Sequence, residues 1–389
     1  VSTNWPAVEY RHATWEPSPD ALMSRRRRLR NRGQFHFVRV PTIASLPVHL
    51  DAEILAQART ATSTIERFDA TAQRWGLPFA SVLLRSESSS SSEIERLSAS
   101  ARRIALATLG ERSNRNATSI ARNVKAMEAA IALADSVDTD MLLAMHDALG
   151  GGDDPANAGR IRTEWVWVGG ESPVTAAFVP PHHDDVPDAL DDLMQFLRRT
   201  DVEPLVQAAI AHAHFETIHP FTDGNGRTGR ALVSSVLRHR GVARNLSVPI
   251  SSGLLTNTDA YFQALTAYRE GRPEEIVLQF ADAAEMAVEN ALRLRTDVEA
   301  VSDEILATAR RTTANIVRMA EVCSTESAFN IDMLVAAGIP RPSAYRLCAR
   351  LTDAGLLRRE RRVGGVDAWT VVGLTQALDA FAERAGRRA

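Results

Sequence analysis

Apolar positions recur at helical spacing over long stretches of this chain and at strand spacing over short ones. From about Leu50 to Ser136 the period is helical, with Leu55, Ile65 and Phe68 early and Ile104, Ala107 and Leu109 later. Residues 139–149 read as a further helix, with Asp138 at the N-cap and Gly150, Gly151 and Gly152 as the stop. TEWVWVGG (163–170) and TAAFVPP (175–181) are short β-like runs with a Glu-Ser-Pro turn between them, and predict a hairpin. Helical patterns resume at 186–200, 203–218 and 227–239, where Gly241 ends the last, and continue to about residue 310. Before residue 50 the pattern is irregular, with Trp5, Trp15, several prolines and the basic run SRRRRLRNR at 24–32. RSESSSSSEIERLSAS (85–100) interrupts the helical stretch, and its serines read as a flexible linker.

Beyond about residue 310 the pattern changes. Residues 328–372 hold a short helix, a Gly-Ile-Pro turn and a second helix from Ser343. A strand, a basic turn with Gly364 and Gly365, and another strand follow. A helix-turn-helix followed by a β-wing is the simplest description. The chain is therefore expected to be mainly α with an inserted hairpin, followed by a small α+β winged helix-turn-helix domain. Arg346 and Arg350 share one face of the second helix, and Arg358, Arg359, Arg361 and Arg362 crowd the wing. Such a surface reads DNA. Winged helices serve equally as protein-contact or dimer modules, and Asp353, Glu360 and Asp367 dilute the positive charge.

Composition narrows the classes. A chain of 389 residues accommodates two or three domains, and 45% apolar with 24% charged residues is the balance of a soluble globular protein. The formal net charge of −3 restricts any nucleic-acid surface to a local patch. Arg25 to Arg32 reads as such a patch or as a solvated face. Cys323 and Cys348 form neither a metal spacing nor a disulfide framework. The sequence has no run of membrane-spanning length and no signal pattern at its start, so a cytoplasmic location and no membrane partner are expected. Lys125 is the single lysine, so any mechanism that needs a lysine is tested at one position.

The chemistry concentrates in HPFTDGNGRTGR, 219–230. Pro220 ends the preceding helix at His219. Gly224 and Gly226 permit unusual backbone angles, and a new helix is expected from about Arg227. The loop's N–H groups and the positive end of that helix suit a phosphate. Arg227 and Arg230 together suit a polyphosphate better than a single carboxylate. Asp223 would repel phosphate alone, but makes sense as a Mg²⁺ ligand. His219, with an ordinary pKa of about 6.5, can take a proton at neutral pH. A Walker loop is excluded because Lys125 lies in RNVKAM, and an EF-hand fails at Arg227. A metal site built from HAHFETIH, with His212 and Glu216 four apart and His219 three further, leaves both arginines unexplained.

HPFTDGNGRTGR resembles the Fic motif, HPFx(D/E)GNGRxxR, at every specified position. The resemblance extends over about residues 31–290. It implies a helical Fic-type core with the hairpin as its flap, and transfer of AMP from ATP to a Ser, Thr or Tyr hydroxyl of a target protein. On these positions it implies His219 as general base and Asp223 as the Mg²⁺ ligand. Gly224, Asn225 and Gly226 would line an anion hole, with Asn225 and the backbone N–H groups on phosphate oxygens. Arg227 would meet the β-phosphate and Arg230 the γ-phosphate. Phe221 is expected to be buried. Tyr261 and Phe262 fall where such proteins carry aromatics near the base, and the flap would align a target segment by strand addition.

SSEIER resembles the inhibitory motif (S/T)xxxE(G/N) of class II members. It places Ser91 and Glu95 four apart on a helix spanning about 88–100. Glu95 would occupy Arg230 in place of the γ-phosphate, and Arg96 departs from the expected Gly or Asn. The domains expected are 1–110 with the inhibitory helix, 111–300 as the catalytic core and 310–389 as the winged helix. The implied function is a protein adenylyltransferase autoinhibited by Glu95 on Arg230; the alternatives are a DNA-binding regulator whose core senses nucleotide, or an enzyme of the same family that uses another nucleotide donor or removes AMP. Such proteins are often dimers, and a homodimer is expected.

Overall fold

The computed structural model describes residues 5–18, 23–72, 77–150 and 156–386. Gly151 and Gly152, expected to stop a helix, lie outside the described residues. The elements run β1 (Glu9–Trp15), α1 (Arg25–Arg30), β2 (Gly33–Arg39), α2 (Ala52–Ala72), α3 (Leu77–Ile94), α4 (Ala101–Thr108), α5 (Arg115–Ala132) and α6 (Thr139–Gly150). Then come α7 (Val186–Leu197), α8 (Pro204–Ile218), α9 (Asn225–His239), α10 (Ile250–Leu255), α11 (Thr258–Arg269) and α12 (Glu274–Ala307). The chain closes with α13 (Ala314–Thr325), β3 (Ala328–Asn330), α14 (Ile331–Ala336), α15 (Arg341–Asp353), β4 (Leu357–Arg359), β5 (Ala368–Val371) and α16 (Val372–Arg384). The fold is mainly helical, as expected. Among the described residues, no helix is long and apolar enough to cross a membrane.

The chain divides into two compact units, 1–59 with 129–239 and 259–280, and 60–128 with 240–258 and 281–389. The expected segments 1–110, 111–300 and 310–389 follow the chain, whereas both units are assembled from separated stretches.

In the first unit α8 lies at the centre, and every residue from Leu205 to Ile218 is buried. A helix enclosed on all sides must satisfy its polar side chains internally. His212 Nε2 is hydrogen-bonded to the Tyr261 hydroxyl at 2.8 Å, and His214 Nδ1 to the Tyr268 hydroxyl at 2.9 Å. Gly229 lets α9 approach, because a β-carbon there would stand 2.7 Å from Glu216 Oε1 and 2.9 Å from Phe215 Cδ1.

Among the described residues, 9–39 are not irregular as expected: they hold β1, α1 and β2. β1 and β2 pair antiparallel from Glu9↔Arg39 to Trp15↔Gly33. Strict alternation was masked because this ribbon packs aromatics on aromatics: Trp165 meets Phe35 and Phe37 edge-on at 5.1 and 5.0 Å, and Trp15 meets Trp167 at 5.7 Å. The expected hairpin is also corrected. It consists of the single antiparallel bridge Val168↔Phe178, with Gly169 and Gly170 both left-handed. Its tip is tied instead by side chains of the arginine run. Glu171 Oε2 accepts from Arg27 Nε at 2.9 Å and Asn31 Nδ2 at 3.1 Å, and lies 3.2 Å from Arg30 Nη2. Buried Ser172 donates to Asn31 Oδ1 at 2.7 Å.

In the second unit the serine run is helix, not linker. Ser86, Ser88, Ser90, Ser91 and Ser92 are all buried in α3. Ser88 Oγ donates to Ile120 O at 3.1 Å, and Asn123 Nδ2 to Ser88 O at 2.9 Å. The small side chains let α5 come close, so packing overrides the turn preference of serine. This helix ends at Ile94, short of the expected 88–100 span. Arg96 is left-handed at φ 61, with its N–H on Glu93 O at 2.8 Å and Leu97 N–H on Ser92 O at 3.0 Å. Those two bonds form a Schellman closure, whose C′ position favours Gly or Asn. Ser91 is in the last turn, and Glu95 is exposed just beyond it.

The C-terminal stretch contains the expected short helix, turn, second helix, strand, basic turn and strand, as α14, α15, β4 and β5. The pattern missed β3 and α16. The sheet order is β3-β5-β4, antiparallel throughout. α4 is built into this module, with Ala105 and Leu106 packed on Ala328, Val363 and Ala368. Asp379 of α16 accepts the Ala101 N–H at 3.0 Å.

Candidate active site

The turn between α8 and α9 starts from a conformation that its residue resists. His219 closes α8 at φ 50 and ψ 62, left-handed for a residue with a β-carbon. Such a position costs on the order of 1–3 kcal/mol and persists only when its surroundings impose it. Pro220 removes the right-handed alternative, while the His219 N–H still donates to Phe215 O at 2.8 Å.

Arg162 imposes the rest. This buried guanidinium donates from Nε to His219 O at 2.8 Å, from Nη1 to Glu164 O at 3.0 Å and from Nη2 to Pro181 O at 2.6 Å. Its backbone N–H donates to Pro220 O at 2.9 Å. One side chain thus joins the end of α8 to both stems of the flap. Burial pulls the guanidinium down to about 10, so it remains charged at neutral pH. Sequence reasoning missed it, since an arginine before a β-like run carries no pattern of its own.

His146 of α6 supports the turn from the other side. Its ring stacks on Phe221 at 3.8 Å and 5° between planes. The Gly159 N–H donates to Nδ1 at 3.1 Å, so the proton sits on Nε2, which donates to Asp223 O at 3.0 Å. Burial lowers the imidazole's pKa and favours this neutral form. Gly224 is required twice over: φ is +77, and a β-carbon would meet Leu149 Cδ2 at 2.9 Å.

Phe221 is fully buried, as expected. The part expected of the Asn225 side chain is different. Its Oδ1 accepts the Phe221 N–H at 2.9 Å and its Nδ2 donates to Phe221 O at 2.8 Å. The buried amide therefore closes the turn, and leaves main-chain N–H groups of the first turn of α9 as the donors facing an anion. That helix starts at Asn225, two residues before the expected Arg227.

What remains presented is the proposed chemistry. The His219 ring is half-buried, with Nδ1 3.8 Å from Glu216 Oε2. The Asp223 carboxylate is 69% exposed and lies 3.6 Å from Arg227 Nη2. An exposed carboxylate with an open oxygen face fits a hard divalent cation. Gly226 is half-buried in the first turn of α9, whereas Arg227 and Arg230 on the same helix are buried, at 6% and 2% exposure. A small pocket of about 20 Å³ opens here, lined by His146, Leu149, Asp223, Gly224 and Arg227 among others.

Tyr261 is not presented. It is 1% exposed and engaged with His212, because α11 turns it toward the core. Its neighbour Phe262, 49% exposed, offers the aromatic face instead. The metal reading of His212, Glu216 and His219 also fails: the cluster at metal spacing among the described residues is His182, His183 and Asp184.

The Fic/DOC family matches over residues 136–237, which include the whole loop. Protein adenylyltransferase fic-1 of Caenorhabditis elegans is 40% identical over 107 residues, 28% of this chain and 20% of that protein. Protein adenylyltransferase Fic of Nematostella vectensis is 34% identical over 110 residues, 28% and 24% of the two chains. This chain thus spans about a fifth to a quarter of these relatives' length. A crystal structure of a Fic family protein from Desulfovibrio desulfuricans G20 aligns over 84% of this chain and 98% of its own, at 22% identity and TM-score 0.56. At that identity the likeness is one of fold.

Proposed function

From a chain that carries a Fic/DOC domain over residues 136–237, we infer a protein adenylyltransferase that moves AMP from ATP to a Ser, Thr or Tyr hydroxyl of a target protein. The observation that carries this reading is the strained, doubly supported turn that puts His219, Asp223 and the start of α9 on one loop. His219 takes the proton of the attacking hydroxyl. The new bond joins that oxygen to the α-phosphorus, the bond from the α-phosphorus to the bridging oxygen of the β-phosphate breaks, and pyrophosphate leaves. Asp223 would hold Mg²⁺, which neutralises phosphate charge. First-turn N–H groups of α9 bind phosphate oxygens, Arg227 serves the β-phosphate and Arg230 the γ-phosphate. Phe262 replaces Tyr261 as the aromatic near the base. Beside its one bridge, the flap leaves main chain for a target segment to pair with.

The restraint by Ser91 and Glu95 on Arg230 rests on the resemblance of SSEIER to the class II motif. Its consequence is testable together with the chemistry. With α-³²P-labelled ATP and Mg²⁺, Glu95→Gly protein should label itself at least tenfold faster than wild type, and His219→Ala should abolish that labelling. Labelling that survives without His219 would remove the proposed base. Labelled GTP, CTP and UTP in parallel identify the donor.

The exposed Arg346 and Arg350 on α15 support a second role, duplex DNA binding by the winged module. A cytoplasmic homodimer is part of the same proposal.

A further inference from the structure

The second unit contains a cleft of about 610 Å³ that the nucleotide-transfer chemistry does not use. That volume falls in the range of roughly 300–1,000 Å³ typical of ligand sites. One wall is α4, with Arg102 and Arg103; the other is the basic turn, with Glu360, Arg361 and Arg362. The end of the cleft is Asn114, whose Oδ1 accepts the Ala117 N–H at 2.8 Å and caps α5. The positive end of an 18-residue helix therefore adds to the field of four arginines.

Three acids stand at or beside this cleft, and Asp367 Oδ1 already lies 3.8 Å from Arg362 Nε and 3.4 Å from Arg359 Nη2. Glu360 is held by Arg102 through a two-pronged contact and accepts from Thr370 Oγ1 at 2.7 Å. Glu111 accepts the Ser113 N–H at 2.9 Å. Arg103, Arg361 and Arg362 are exposed. Their guanidiniums come from two separate elements, α4 and the basic turn, so a ligand that meets all of them must carry more than one negative group. A single carboxylate would satisfy one of them. A row of phosphates satisfies all three, each with paired N–H donors.

We propose that the cleft between α4 and the basic turn binds a chain of consecutive phosphates, supplied by a nucleic-acid backbone or by free inorganic polyphosphate. The site is therefore shared between the wing and a helix of the N-terminal region. A phosphate chain seated in it competes with Glu360 for Arg102, the bond that ties α4 to the wing. The proposal stands apart from AMP transfer and needs no base-reading by α15.

The test uses the full chain with two probes at low salt: a fluorescein-labelled 20-base-pair duplex followed by anisotropy, and inorganic tripolyphosphate followed by calorimetry. Three proteins are compared: wild type, Arg103→Ala, and the triple variant Arg103→Ala, Arg361→Ala, Arg362→Ala. Binding of either probe should weaken at least tenfold in the triple variant and at least threefold in Arg103→Ala, whose side chain lies outside the wing. For the duplex, the log–log salt slope should also fall by about two to three, one for each lost phosphate contact. A loss confined to the duplex identifies nucleic acid as the source, and a loss confined to tripolyphosphate identifies free polyphosphate. The proposal is overturned if neither probe binds, or if affinities are equal in all three proteins. Duplex binding lost in Arg346→Ala but unchanged in Arg103→Ala would also overturn it, while leaving the winged module as a DNA reader.

Discussion

His219 and Arg96 are both left-handed residues that carry a β-carbon, and the contrast between them is informative. His219 is held in that conformation by Arg162, which donates to its carbonyl, and by the Pro220 that follows it. Arg96 closes α3 in a Schellman motif, which asks only for a residue that tolerates φ above zero. A Gly or Asn at position 96 would meet this backbone requirement without strain, and Arg96 meets it at an energetic cost. Arg96→Gly should raise stability by about 1 kcal/mol through relief of that conformation. Urea denaturation checks this, and an unchanged or lower midpoint would show that the arginine side chain holds the turn in some other way.

Two elements decide how the site is presented, α9 and the flap. Gly229 sits in α9 where propensity and packing predict opposite signs. Alanine gains about 1 kcal/mol in a helix interior. Here its β-carbon would stand 2.7 Å from Glu216 Oε1 and 2.9 Å from Phe215 Cδ1, on a fully buried helix. Packing should win, with Gly229→Ala losing about 1–2 kcal/mol net; a stabilised variant would show that α9 can shift away. The flap presents the second case. Its single bridge is weak by itself, and Arg27, Arg30 and Asn31 hold the tip through Glu171. Glu171→Ala should speed hydrogen exchange of the Val168 and Ala177 amides by about tenfold, as expected of a locally opened segment. The global thermal midpoint should stay put. Unchanged exchange would mean that the aromatic stem around Trp165 suffices.

For the whole molecule, the buried histidines set an acid limit. Burial lowers the pKa of His214 to about 3, and the buried Tyr268 hydroxyl bonds its Nδ1. The unfolded chain protonates this histidine near pH 6.5, so between 6.5 and 3 the unfolded state binds one more proton than the folded state. Stability therefore falls as pH drops below 6.5, by about 1.4 kcal/mol per unit for this residue, and is unaffected by it above. Thermal midpoints from pH 7 to 5 should decline less steeply in His214→Asn than in wild type. Parallel slopes would place the titration elsewhere.

The sequence by itself determined the helical class, the loop 219–230 and, to within a few residues, the ends of the helices that flank it, because these follow from local rules. A 3.6-residue period marks a helix, Asp138 caps one, and Pro220 and Gly241 end two others. Such signals lie within a few residues of what they specify. Other features depended on partners distant in sequence. The serine run is a helix because Ile120 O accepts from Ser88 Oγ and Asn123 donates to Ser88 O, and residues 9–15 and 33–39 form a ribbon that Trp165 and Trp167 cover. Asn225 became a clamp and Tyr261 a core residue for the same reason: each found a buried hydrogen-bonding partner. Arg162 shows the limit most plainly. Its role consists of carbonyls from Glu164, Pro181 and His219, main-chain groups that every residue has. No sequence pattern marks them, and only the tertiary fold brings them to one guanidinium.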